Sequence, residues 1–124
     1  MSMSQMLLSI NPEHVENILS GKKRYEFRKV RCRDDISSII IYATSPIMRV
    51  VAEVEVIDII VDAPQVVWDI TSKYAGISKT FFNQYYEGRK KAVAYELGEV
   101  QIYSEPRPLA ELGISHAPQS FVYV

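Results

Sequence analysis

The sequence is poor in the residues that hold small proteins together covalently or through metal ions. It has one cysteine, Cys32, and two histidines, His14 and His116. One cysteine excludes an internal disulfide, and one thiol with two distant imidazoles is a poor donor set for a metal. We therefore expect no metal site and no cofactor, and neither histidine recommends itself as a ligand.

Long apolar segments are also lacking. The longest, Ser38–Ala43, is far too short to span a bilayer, and residues 1–5 do not have the charged start and apolar run of a signal peptide. We expect a cytoplasmic protein without a membrane partner. The net charge of −1 argues against general coating of nucleic acid, so any contact with nucleic acid is expected at one patch.

The sequence does contain one dense cluster of cations. Seven of its 14 Lys and Arg residues lie in Gly21–Arg33, with Glu26 as the one carboxylate among them. Such a local positive field attracts phosphate. Alternation within this stretch places Tyr25 and Phe27 on one face of a strand and Glu26 with its flanking arginines on the other.

A structural explanation of the same cluster stays open. Charged side chains protect an edge strand from aggregation, and the stretch fits such a strand. Glu26 and Arg28 would then form an exposed ion pair that contributes only about 0–1 kcal/mol. Gly21 would be a helix cap, and Lys23 a solvated surface lysine.

The length of 124 residues and an apolar content of 48% fit one domain, residues 1–124, with residues 1–5 as a disordered leader. A helix is expected from Asn11-Pro12 to the left-handed cap at Gly21, and further helices after Asp62 and after Ser78. The pattern predicts strands at Met6–Ile10, Arg24–Lys29, Ser38–Ala43, Arg49–Ile60, Ala92–Leu97, Val100–Tyr103 and Gln119–Val124.

These elements predict an α+β fold, a small mixed β-barrel of about five to seven strands with two or three helices. Tight turns between consecutive strands favour antiparallel pairing. Gly98 is expected at a turn, and a bulge or a corner is expected at Ile59–Val61. Most aromatic residues are expected in the core, although Trp68, Tyr74 or Tyr86 at a cleft rim would stack on a base.

The basic stretch also carries a family motif. Gly21, Lys23, Glu26 and Arg28 occupy every fixed position of a G-x-K-x-x-E-x-R pattern. The segments Ile10–Glu13, Tyr42–Pro46 and Ala117–Phe121 agree with the same family. On these residues the chain resembles the ASCH domains, the activating signal cointegrator homology family.

The resemblance implies a PUA-like β-barrel that binds RNA or a nucleotide in a basic cleft beside the motif, in transcription coactivation or translation. The nucleic-acid-binding residues would be Lys22, Lys23, Arg24, Glu26, Arg28, Ser45 and Arg89, with Lys90 and Lys91 extending the patch. This interpretation favours binding over catalysis, but it leaves the question of an enzyme open.

Two alternatives remain. A bacterial branch of ASCH-like proteins hydrolyses acetylated cytidine nucleosides, and the resemblance would then make Lys23 the base and Glu26 a proton shuttle, with Ser45 or water attacking the amide. Such a lysine needs a lowered pKa, which the cations Lys22 and Arg24 favour. Glu26 stands where that branch has a threonine, which argues against hydrolysis. The third possibility is a module that binds an acidic protein partner.

Overall fold

The computed structural model describes residues 4–33, 35–119 and 121–124. Its strands are β1 Ser4–Ile10, β2 Tyr25–Arg28, β3 Ile36–Ala43, β4 Arg49–Asp62, β5 Ala92–Arg107 and β6 Phe121–Tyr123. Its α-helices are α1 Pro12–Leu19, α2 Pro64–Thr71 and α3 Lys79–Tyr85, and two 3-10 turns span Ser72–Tyr74 and Leu109–Leu112.

All six strands within the described ranges form one curled sheet in the order β2-β5-β4-β3-β1-β6, a half-barrel. The predicted α+β small barrel is therefore confirmed. The expectation of antiparallel pairing holds for four of the five strand pairs, but β1 pairs with β3 in parallel. The reason is that α1 and β2 lie between these two strands in the chain and carry it back to the same end of the sheet.

Helix α1 begins and ends as its sequence predicts. The Asn11 side chain accepts a hydrogen bond from the Glu13 amide at 3.0 Å, and Pro12 is the first helical residue. Gly21 has a φ of 83°, which is the left-handed conformation that ends the helix. Val15 and Ile18 are buried against the sheet, so the helix is fixed just before the basic stretch begins.

Gly98 lies within strand β5, and the expectation of a turn there is wrong. The chain continues through this residue as one strand, where two strands separated by a turn were expected. A side chain at position 98 would collide with Glu55 Oε1 and with Ile57 on the neighbouring strand. Glycine is therefore needed for the close approach of β4 and β5, and not for chain reversal.

Two other boundaries also differ from the prediction. β1 begins at Ser4, where the Ser4 hydroxyl donates to Asp35 and the Gln5 amide donates to Ser38, so residues 4 and 5 belong to the sheet and not to the expected disordered leader. Residues 1–3 lie outside the described residues, as does Ser120 of the predicted last strand. The register shifts in β4 lie between Val50 and Asp58, and the expected bulge at Ile59–Val61 is instead regularly paired with β5.

Two apolar clusters place the helices over the sheet. The larger one packs α1 against the centre of the sheet. The second fixes α2 and α3 over β2 and β5, and its buried members are Phe27, Val67, Ala75, Phe82, Tyr86, Ala92 and Ala94. The segment between α2 and α3 is thereby laid across the basic stretch. Within the described ranges, no helix is long and apolar enough to cross a membrane.

Candidate active site

Backbone hydrogen bonds hold the stretch between α1 and β2 in one position. The Lys23 amide donates to the carbonyl of Asn17 in α1 at 2.9 Å. The Arg24 amide donates to Tyr74 at 2.8 Å, and its carbonyl accepts from Leu97 in β5 at 2.9 Å. Three different parts of the fold therefore determine where the Lys23 side chain enters the protein.

Lys23 is buried, with 3% of its surface exposed. Its Nζ donates to the Ala75 carbonyl at 2.8 Å and lies 4.7 Å from the centroid of the Phe27 ring. Gly76, with a φ of 70°, lets the segment after α2 cross directly over the lysine, and a Cβ there would lie 2.5 Å from Lys23 Cβ. A solvated surface lysine is therefore the wrong description of this residue.

Burial lowers the pKa of Lys23 from its usual 10.5, since the ammonium loses its hydration inside the protein. The Glu26 carboxylate acts in the opposite direction, and the Arg28 cation adds to the lowering. The sequence suggested the right direction but a different cause. Lys22 is exposed, and Arg24 lies over the Tyr74 ring at 4.4 Å.

Glu26 is buried and Arg28 is partly buried, so their ion pair is not the exposed one that alternation suggested. Glu26 is 6% exposed, and its Oε2 lies 2.8 Å from Arg28 Nη2 and 3.0 Å from Arg28 Nε. Nη2 also donates to the Ser9 carbonyl of β1 at 2.9 Å. Both contacts between the guanidinium and Glu26 involve Oε2, so Arg28 fixes the carboxylate while Glu26 Oε1 is not bonded to that guanidinium.

A small pocket opens beside Lys23 and Glu26. Its volume is about 180 Å³. The lining combines two charged side chains, one imidazole, three aromatic rings and one aliphatic side chain. They come from α1, from β2 and the residues before it, and from the α3 region: His14, Lys23, Glu26, Phe27, Ile77, Phe81 and Tyr85. Burial also raises the pKa of Tyr85, an effect that the nearby Arg28 cation opposes.

A larger groove of about 820 Å³ adjoins this pocket. The two share His14, Ile77 and Phe81 as common walls. Lys22 and Lys73 also line the groove, so the surface of the groove carries cations. The charged side chains that line the pocket are instead buried. The remaining lining residues are Asn11, Glu13, Gly76 and Ser78.

The structure brings only some of the expected site residues together. Lys23 and Glu26 line the pocket, Lys22 lines the groove, and Arg28 lies behind Glu26. Arg24 lines a different depression, together with Glu96 and Gly98, and Lys23 lines that depression as well as the pocket. Ser45 lies in the exposed turn after β3 and does not line the pocket.

Arg89 lies near the α3 side of the pocket. It is exposed, and its positive charge acts to lower the pKa of Tyr85. Lys90 and Lys91 follow it and are also exposed. None of the three lines the pocket, and their role in extending the positive surface stays a prediction.

Sequence reasoning missed His14, Phe81 and Tyr85. The first was set aside as an ordinary helical residue, and the two rings were assigned to packing. His14 lies four residues before the buried Ile18, so it shares the edge of the buried face of α1. That spacing was the available signal, but it does not distinguish a pocket wall from a core residue. Trp68 and Tyr86, considered for stacking on a base, instead pack around Phe82.

Within the described ranges, no group of three or more His, Cys, Asp or Glu side chains is arranged to hold a metal ion.

Known proteins are similar to this chain in both fold and sequence. The crystal structure of ASCH from Zymomonas mobilis superposes with a TM-score of 0.88 at 30% sequence identity, covering 97% of this chain and 87% of that chain. This chain belongs to the ASCH domain family. A protein of the same organism named "ASCH domain-containing ribonuclease" is 32% identical over 98 residues, which are 78% of this ASCH domain and 66% of that protein.

Another relative is much longer than this ASCH domain. A Ureaplasma parvum protein named "Large ribosomal subunit protein uL22" is 28% identical over 120 residues, which are 96% of this chain. The chain spans only 39% of the length of that protein. No protein-family model matches the chain.

Gly76→Ala should destabilise this ASCH domain more than Gly113→Ala. Both glycines have similar φ values, 70° and 73°, so both substitutions carry a backbone strain of about 1–2 kcal/mol. Only at Gly76 would the new methyl group collide with Lys23, whereas the space at Gly113 is open. We expect an additional loss of about 1–3 kcal/mol in the free energy of unfolding. Equal losses in urea denaturation would contradict this description of the loop over Lys23.

Proposed function

We propose that this ASCH domain binds single-stranded RNA along the groove and cleaves a phosphodiester bond at the pocket. One observation carries the proposal: a lysine with a lowered pKa and a fixed carboxylate are buried at one pocket that opens into a cationic groove. Buried groups with shifted pKa values are concentrated at catalytic sites. The name of the Zymomonas relative, which calls that protein a ribonuclease, supports the same activity.

The pocket has the dimensions and walls of a site for one nucleoside. Its volume is about 180 Å³, and the rings of Phe27, Phe81 and Tyr85 line it. Stacking of a base on an aromatic ring contributes about 1–3 kcal/mol. Glu26 would accept a hydrogen bond from the exocyclic amino group of that base, while Arg28 holds the carboxylate in position.

The groove would supply contacts for the phosphates of the nucleotides that follow the one in the pocket. Lys22 and Lys73 line it, and Arg89 would extend the positive surface on the side of Tyr85. Such contacts are not specific for sequence, and they position the chain of the nucleic acid. Recognition by ring stacking with cationic flanks is typical of proteins that bind single-stranded RNA.

The proposed reaction uses the ribose 2′-hydroxyl as its nucleophile. Lys23, in its neutral form, takes the proton from this hydroxyl, and the 2′ oxygen then bonds to phosphorus. The bond from phosphorus to the 5′ oxygen breaks, and a second group returns a proton to that oxygen. The products are a 2′,3′-cyclic phosphate and a 5′-hydroxyl. A lowered pKa suits Lys23 to this role, because it increases the fraction of neutral amine at a given pH.

Lys23→Met should abolish cleavage, and Lys22→Met should mainly weaken binding. The two lysines are adjacent in sequence, but Lys23 is buried at the pocket and Lys22 is exposed in the groove. We expect a loss of at least about 100-fold in the maximal rate for Lys23→Met, as for removal of a general base. Log affinity decreases with log salt, and for Lys22→Met the steepness of this decrease should be reduced by about one.

The assay is single-turnover cleavage of a labelled RNA, with product ends identified by mass. The matched substrate control carries one 2′-deoxynucleotide at the cleaved position and should be bound but not cut. Cleavage of that control, or undiminished cleavage by Lys23→Met, would contradict the proposal.

Amide hydrolysis of an acetylated cytidine is a second candidate activity, because a lysine of lowered pKa and a carboxylate lie beside the pocket. Ser45 does not line this pocket, so water would have to attack the amide. Release of cytidine from acetylated cytidine by the wild-type chain, but not by Lys23→Met, would establish this activity. We expect no release, because Glu26 replaces the hydroxyl residue of that branch. A rate above that of the variant would contradict this expectation.

A further inference from the structure

His14 has a buried ring nitrogen that the fold does not use. Its Nδ1 has no hydrogen-bond partner among the residues that the structure describes. The ring is held by Phe81, whose centroid lies 5.7 Å away in an edge-to-face arrangement. Leaving a buried nitrogen unpaired costs folding free energy, so a histidine retained in this state at a pocket wall is a candidate for a functional role.

The position of His14 relative to Lys23 places the imidazole ring between the pocket and the groove. Lys23 lines the pocket but not the groove, whereas His14 lines both and lies where they meet. If the ribose of one nucleotide occupies the pocket, the RNA strand leaves through the groove past His14. The 5′ oxygen of the next nucleotide then lies on the histidine side of the phosphate, and the 2′-hydroxyl lies on the lysine side.

We propose that His14 is the catalytic acid that protonates the leaving 5′ oxygen, an inference that rests on the proposed RNA cleavage. As the bond from phosphorus to the 5′ oxygen breaks, the imidazolium N–H transfers its proton to that oxygen. This leaves a neutral imidazole and a 5′-hydroxyl. Lys23 has meanwhile become an ammonium, and exchange with water returns both groups to their starting states.

The surroundings of His14 contain charges of both signs. The titratable groups that share the pocket or the groove with it are Glu13, Lys22, Lys23, Glu26, Lys73 and Tyr85. An acid and a base that act together give a bell-shaped dependence of rate on pH.

The test compares two RNAs that differ in one atom. In the second RNA, sulfur replaces the 5′ oxygen at the cleaved bond, and a thiolate leaves without needing a proton. His14→Gln should slow cleavage of the oxygen substrate by at least about 100-fold but slow the sulfur substrate by less than about tenfold. Lys23→Met should slow both, because the 2′-hydroxyl still has to lose its proton.

His116→Gln is the matched control, since His116 is the other histidine of the chain and is exposed. It should cleave both substrates as the wild type does. Rapid cleavage of the sulfur substrate by His14→Gln would also demonstrate that this variant is folded. RNA binding by His14→Gln should stay within about twofold of the wild type, because an acid acts in the transition state.

Two results would overturn the assignment. Equal slowing of both substrates by His14→Gln would mean that the residue only supports the fold or the binding of RNA. No slowing of either substrate would remove His14 from the reaction while leaving the proposed cleavage in place. If the wild type cuts neither RNA, the proposed function itself fails, and the role of His14 fails with it.

Discussion

The burial of one ammonium group under a loop is the constraint on which the site depends. Lys23 extends beneath the segment that joins α2 to α3, where a carbonyl and a ring face surround its Nζ. These contacts favour the charged form, whereas the loss of water favours the neutral form, and the lowered pKa records which effect is larger. In the pH range between the pKa in the folded chain and 10.5, the unfolded chain binds more protons, so the contribution of Lys23 to stability rises with pH.

Glu26 differs from Lys23 because its charge is compensated directly, by Arg28. The Ser9 carbonyl holds the same guanidinium in place. Removing one partner of such a buried pair typically costs about 3–5 kcal/mol, because the other charge is left alone. The ASCH motif thus places one poorly compensated cation and one well-compensated carboxylate on neighbouring walls of the same pocket. This difference allows the two groups to have different roles at one pH.

The sequence predicted most of the elements but less of the site. The cap at Asn11 and the left-handed Gly21 follow from local backbone chemistry, and both are present as expected. The function of Gly98 could not be predicted, because a glycine needed for close strand packing looks the same in sequence as a glycine in a turn. The parallel pairing of β1 with β3 also depends on the whole chain path, which no local pattern encodes.

The same limit explains the errors at the site. Alternation placed Glu26 correctly on the face opposite Phe27, but it suggested exposure, because it does not show what packs on that face. The loop carrying Ala75 and the ring of Phe81 come from more than 50 residues further along the chain. Only their arrival buries Lys23, which would otherwise be a surface lysine, and makes His14 a wall of the pocket.

Measurement of the Lys23 pKa is the most direct test of how this site is built. In the chain labelled with ¹³C at the lysine Cε atoms, each lysine reports its own pKa during an NMR titration, and comparison with Lys23→Met assigns the signal of interest. We expect that signal to titrate clearly below 10.5, because burial disfavours the charged form. A Lys23 signal that titrates at 10.5 or above would contradict the central claim.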